Sequence, residues 1–581
     1  MIKHNLGNWE YSTKLEGLLF FAQRMNEALF DFSSDKYKAP ALYTTSSCIE
    51  VLSTIDKIKK ETWPIKTLET VFEEFKYLYK NDTIAQKLVN ADIGYYFSTI
   101  SLDKIDEIKI KLELIYLKIE PLKYFNVLKD ELIRVIEDGK EKQKIENYAL
   151  KLISLLLHIG YSQGYIYKST NSFFFKDKRI NSTGVLNDYF SIFDMKVKEY
   201  EVYFKMSNLF EPLKDACKIF NIEISPSDTL KSYNMLKNIG NKECLIKISK
   251  IRALDPYNAR NTADNILQKI GDLFTFFHHK QRLIWGEDVI VKDTATSLEL
   301  YYIKKGSPMK KGVDYYPKKA AERLKEMLET LSLQDESFFR INRGIDFHGT
   351  SLENKVPENQ LIQNWIALET LIVTNNSDTK INLILQGLLP ILNYHYIKRI
   401  FSDLATDVER LNDININNII NKIPEGNCFL EKIVALCTIK SNLDIAKELL
   451  ASCSDFPLLR FRIFSLNKSF STFENILLFL EEHRKRLEWH IRRIYRTRNL
   501  IVHSGQVPDI IESLVESSHS YLDSFINIMM NLSSREKQIK TISQGIKEIQ
   551  IRNKIHVDYL KSNKSKECDS DNFKLALWGE S

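Results

Sequence analysis

Residues 472–505 read TFENILLFLEEHRKRLEWHIRRIYRTRNLIVHSG. Apolar side chains recur every three or four positions with basic ones between them, so Thr472–Arg496 is predicted to be a long basic amphipathic helix. Gly505 and Pro508 then require that helix to bend or stop near His503. Pro508 opens a second patterned stretch, Asp509–Leu532. Such helices fit the whole chain, which has only 19 Gly and 13 Pro in 581 residues. That is under half the usual combined share of about 12%. Sandwiches, barrels and propellers need a turn every few residues and are excluded. The expected fold class is mainly α.

Outward from this helix, the chain reads as four regions. Residues 1–164 form a multi-helix N-terminal region, with Pro121 dividing Ile105–Ile136 into two helices and Ser101 or Asp103 able to cap the first. Gly160 stops the apolar helix Tyr148–Tyr161. Residues 165–316 change period and predict a small central α+β layer. Its strands are Lys198–Lys205, Ile222–Ile224, Glu243–Ile251, Asp288–Val291 and Ser297–Ile303, with helices through Leu213–Phe220 and Asn258–His279. Residues 317–535 return to helices, including Lys318–Leu331 and one opened by Pro357. Residues 536–581 read as a Lys- and Ser-rich, partly disordered basic tail.

The net charge of +6 is spread over a long chain, so the placement of basic residues matters more than their number. Six of the 21 Arg fall between Arg484 and Arg498. Among them, Arg484, Arg486, Arg492, Arg493 and Arg496 could attract a phosphate backbone. At the end of this run stands Arg498-Asn499-x3-His503. In a straight helix Arg498 and His503 lie about 140° apart around the axis, whereas Asn499 and His503 share a face. Arg498 must therefore reach around, meet a bend, or face a second subunit. A histidine titrating near neutrality can move a 2′-hydroxyl proton, and an arginine can stabilise charge developing on a phosphate, which suits metal-free RNA cleavage. The same pattern is also consistent with a buried basic helix end and a satisfied histidine.

Arg498-Asn499-x3-His503-Ser-Gly resembles the signature of HEPN-superfamily ribonucleases, and the helices around it resemble the Apea-like HEPN domains of bacterial anti-phage proteins. The resemblance covers about residues 320–535 and includes Arg343-x-x-Asp346-x-His348-Gly349, Pro357-Glu-Asn-Gln360 and Trp365-Ile-Ala-Leu-Glu369. It implies a C-terminal α-helical HEPN bundle and a homodimer whose paired motifs line one composite active site. Arg498 and His503 would be catalytic there, with Asn499 supporting them. It further implies a cytoplasmic, toxin-like abortive-infection effector, with RNA (tRNA among the candidates) as substrate and a phage-derived trigger as partner. Cleavage would leave 2′,3′-cyclic phosphate ends, with no cofactor and no metal. The alternative is a non-catalytic HEPN module that binds RNA, a nucleotide or a partner protein; a helical scaffold without a nucleic-acid role is a third reading.

Arg343 and His348 repeat the Arg-x4-His spacing. They predict either a second half-site in the same chain or, more simply, a helix face beside the cleft. In the simpler case Asp346 or Glu369 would hold Arg498 or His503. Gly344 weakens a helix there and Gly349 marks a second break. Glu369 is either an exposed helix position or a buried carboxylate holding a base.

Elsewhere the chemistry is sparse. The seven Cys make no CxxC spacing, so neither a zinc site nor a disulfide framework is indicated, and a reducing cytoplasm fits. His278-His279 reads as a helix-end charge effect. No phosphate-loop or dinucleotide fingerprint occurs. The opening MIKHNLGNWE lacks a signal-peptide pattern, and no apolar run is long enough to span a membrane.

Overall fold

In the computed structural model, which describes residues 2–10, 13–98, 104–226, 242–295, 300–311, 314–373, 378–534 and 538–579, helices account for nearly all regular structure outside one small sheet. The fold is mainly α with a small central sheet, as composition and periodicity predict. The proposed caps Ser101 and Asp103 lie outside the described residues. The chain divides into two compact units: Met1–Asn5, Ser12–Ala149 and Ser307–Ser581 form one, Leu6–Tyr11 and Leu150–Gly306 the other.

The smaller unit holds an antiparallel sheet of β1 (Lys198–Ser207), β2 (Ile222–Ser225), β3 (Glu243–Ala253), β4 (Asp288–Asp293) and β5 (Leu300–Lys304). Its spatial order is β2-β3-β1-β4-β5. One face of the sheet, with Val202, Phe204, Ile246, Ile248, Val289 and Val291, packs with Ala259, Ala263 and Leu267 of the helix Pro256–Phe277. Alternation along each strand supplies that apolar face. Asp255 starts the helix by accepting from the Asn258 amide at 2.8 Å. The stretch predicted as a helix through Leu213–Phe220 is only one α turn, Lys214–Cys217, between two 3-10 turns, one of which contains Pro212.

In the larger unit, the helices Asp335–Glu353, Pro357–Ile372, Lys380–Asn393, Phe473–Ser504, Ile511–Ser533 and Ile542–Ser562 all contribute to one core, centred on buried Trp365, Leu368, Leu388, Ile491, Ile494, Leu522 and Phe525. Pro357 stands in the first turn of its helix, as expected. One expectation fails. Gly349 breaks nothing, because the helix Asp335–Glu353 runs through both Gly344 and Gly349. At Gly344 the missing side chain makes room for Leu371, which a Cβ would meet at 3.0 Å. The basic tail also carries a helix. Thr541 and Gln544 close a capping box on Ile542–Ser562, and Ile542, Ile549 and Leu560 are buried at helical spacing.

Gly17 sets how closely the helices Glu16–Leu29 and Pro121–Asp138 approach. A Cβ there would lie 2.4 Å from the Ile136 carbonyl oxygen and 2.9 Å from the Gly139 Cα, both backbone atoms. Gly17→Ala is expected to destabilise the chain by about 1–3 kcal/mol despite alanine's better helix propensity. Urea unfolding of the two chains checks this; equal or higher stability of the variant would contradict the close approach.

Candidate functional site

The 32-residue helix Phe473–Ser504 carries the arginine run and the Arg498–His503 motif. Thr472 caps its start, accepting from the Asn475 amide at 3.3 Å. At its end Gly505 adopts φ 64°, a left-handed conformation suited to glycine, and donates to the Ile501 carbonyl. The helix therefore stops immediately after His503 and does not bend between Arg498 and His503. Arg498 donates through Nη1 to Asn499 Oδ1 at 3.0 Å, and its buried Nε has no hydrogen-bond partner among the described residues. His503 is exposed in the last turn, and among the described residues no hydrogen bond or ion pair engages it or joins it to Arg498.

The satisfied histidines of this helix are different ones. His483 stacks on Tyr396 with rings 3.4 Å apart. His490 Nδ1 lies 3.1 Å from the Tyr521 hydroxyl, and burial together with the Arg493 charge pushes its pKa down to about 3. His503 differs from both in facing solvent. The reading of His503 as a buried, satisfied residue does not describe it.

The arginine run is not a continuous phosphate-binding stripe. Arg493 is 3% exposed and donates to Glu50 at 3.0 Å and to Glu74; Arg496, 8% exposed, donates to Glu50 at 2.8 Å. Glu50 and Glu74 belong to the helices Thr44–Lys59 and Lys66–Lys80 of the same unit. Lys485 and Trp489 extend the contact to Glu73 at 2.6 and 3.2 Å. Charge in this part of the run joins the motif helix to the N-terminal helices, because a buried guanidinium requires a carboxylate partner. Arg492 pairs with Glu488 at 2.9 Å one turn earlier. Arg484 and Arg486 remain on the surface, Arg486 3.7 Å from Glu482.

Burial opposes the charge of Glu50, but Arg493 and Arg496 outweigh it and bring its pKa from the ordinary 4.5 to about 2. Glu74 moves upward, because its burial and the Glu50 charge are only partly offset by Arg493. A carboxylate with a lowered folded pKa stabilises fully above its unfolded value and loses that contribution as pH falls toward its folded one. The Glu50 contribution is thus complete above about pH 4.5 and declines toward about pH 2. Glu50→Gln is expected to flatten this part of the acid-unfolding curve and, at neutral pH, to destabilise more than Glu74→Gln. Denaturant midpoints at pH 3 to 7 measure both effects; identical acid limbs for parent and Glu50→Gln would contradict the assignment.

The upstream residues do not support Arg498 or His503 as anticipated. Arg343 is exposed, 3.6 Å from Asp346, with its guanidinium over the Phe347 ring at 4.5 Å. Glu369 accepts from the Trp365 indole at 2.7 Å and lies 3.6 Å from Lys380. It is a half-buried carboxylate, but the base beside it is Lys380. His348 meets His519 across 2.9 Å and Asp523 at 3.3 Å. The sequence reading missed His519 and Asp523. Their spacing of four puts both on one face of the helix Ile511–Ser533, but nothing local ties that face to His348, 171 residues earlier.

Other expectations concern absence. All seven cysteines are free thiols, five of them buried. No described helix is long and apolar enough to cross a membrane. Compared with models of protein families, with curated proteins and with solved structures, the chain finds no match.

Proposed function

We propose that the chain is a metal-independent endoribonuclease of HEPN type, active as a homodimer, that cleaves RNA to 2′,3′-cyclic phosphate ends as an anti-phage effector in the cytoplasm. The observation that carries this reading is the state of His503. It is the exposed histidine of a helix whose other histidines are engaged, one turn from an Arg498–Asn499 pair. Exposure leaves an imidazole able to exchange protons with a bound substrate. Arg498 adds a cation that no carboxylate neutralises among the described residues. One histidine does not easily serve as base and acid in the same turnover, so a second copy of the motif, brought by a partner chain, completes the chemistry. With the helix unbroken between Arg498 and His503, a second copy also supplies what a bend would have supplied.

Incubation of the full chain with cellular RNA in excess chelator tests this reading. Cleavage that persists and leaves cyclic phosphate ends is expected. Cleavage abolished by chelator without a fall in the thermal midpoint, or 3′-hydroxyl ends, would overturn it.

The burial of Arg493 and Arg496 supports a second reading, a non-catalytic HEPN module, because it removes two cations that an RNA-processing surface would use. That module would bind RNA, a nucleotide or a partner protein, and its behaviour would be indifferent to His503.

A further inference from the structure

The geometry points to a divalent-metal site formed by His348, His519 and Asp523, suited to a borderline ion such as Zn²⁺ and distinct from the Arg498–His503 chemistry. One ligand atom from each of the three side chains lies within 4.8 Å of the other two. His348 Nε2 and His519 Nε2 are 2.9 Å apart, and each lies 3.3 Å from a different oxygen of Asp523. Ligands around a tetrahedral zinc with bonds of about 2.0–2.1 Å lie about 3.3 Å from one another, so these spacings suit an ion that takes both nitrogens and a carboxylate oxygen of Asp523. Two imidazoles and one carboxylate suit zinc and its first-row neighbours better than Mg²⁺ or Ca²⁺, which favour all-oxygen shells.

Two features favour a cation here. When both facing nitrogens present lone pairs they repel at 2.9 Å, and a cation that binds both removes that repulsion. The charges of Asp523, Asp314 and Asp35 all act on His519. Those same acids add negative charge around the site. Glu516, one turn before His519, is already engaged by Lys38 and Lys311 at 2.9 and 2.6 Å. Asp523 is 45% exposed on its side chain, so an ion can enter from solvent and keep water in its open position.

The ligands come from two helices, Asp335–Glu353 and Ile511–Ser533, and the ion would clamp them together. Titration of the chelator-stripped full chain with zinc chloride, followed by calorimetry, tests the proposal. One ion per chain is expected, with a higher thermal midpoint in the loaded protein. His519→Ala and Asp523→Asn are each expected to weaken binding at least about 100-fold, since even groups that only orient ligands are worth 10–100-fold. His503→Ala is expected to bind zinc like the parent. Should His519→Ala not fold, Asp523→Asn at its more exposed position provides the reading alone. Cobalt substitution gives a second readout: visible bands of a nitrogen and oxygen shell without a thiolate charge-transfer band. A parent that binds no zinc, binding unchanged in Asp523→Asn, or a thiolate band would each overturn the site.

Discussion

Arg498→Ala and His503→Ala chains are each expected to cleave RNA about 10²–10⁴-fold more slowly than the parent, the range typical of losing one general acid–base or charge-stabilising group. Neither substitution should disturb the fold. Among the described residues His503 is exposed and unengaged, and Arg498 bonds only to its neighbour Asn499. Equal thermal midpoints for the three chains would therefore separate chemistry from stability. Asn499→Ala tests position more than chemistry, since it frees the Arg498 side chain, and a smaller loss is expected. If two motifs meet in a dimer, mixing the Arg498→Ala and His503→Ala chains distinguishes modes of sharing. Recovery of activity in the mixture would show one complete site assembled from both protomers. No recovery would show that each half-site needs both of its own residues. RNA cleavage at the parental rate by either single variant excludes the mechanism.

The second large effect concerns stability. Arg493→Met is expected to cost about 3–5 kcal/mol, because it strands Glu50 and Glu74 in a buried place without their shared partner. Arg496 still reaches Glu50, so the residual penalty falls mainly on Glu74. Adding Glu74→Gln to Arg493→Met should recover much of the loss, since Arg496 keeps Glu50 paired and replacing both members of a buried ion pair is far cheaper than removing one. Chemical denaturation of the parent, Arg493→Met, Glu74→Gln and the double variant gives the comparison. A single Arg493→Met variant with parental stability would mean that the cluster does not join the motif helix to the N-terminal helices. The prediction bears on function too, because this helix also carries His503.

Periodicity made the fold legible. The five strands and the helix Pro256–Phe277 stand within a few residues of their expected places; the long helix starts beside Thr472 as expected but runs eight residues past Arg496, to Ser504. Errors came where a local rule met tertiary packing. Gly349 looked like a break, yet its helix continues, supported by neighbours such as Ile341, which are buried in the shared core. The lysines of the last 46 residues hid Ile542, Ile549 and Leu560, whose spacing was the stronger signal.

At the site, the sequence showed which residue types stand together but not which way they face. Six arginines in one run suggested a single basic surface. The partners of Arg493 and Arg496 lie more than 400 residues away, at Glu50 and Glu74, and no local pattern marks them. For the same reason His348 seemed to repeat the Arg-x4-His motif, whereas its neighbours in space are His519 and Asp523.

Sequencing RNA 3′ ends after expression of the parent and the His503→Ala chain tests the central claim most directly. The account predicts new 2′,3′-cyclic phosphate ends in cells making the parent and none above background with His503→Ala. The same ends at the same abundance from both chains would contradict it.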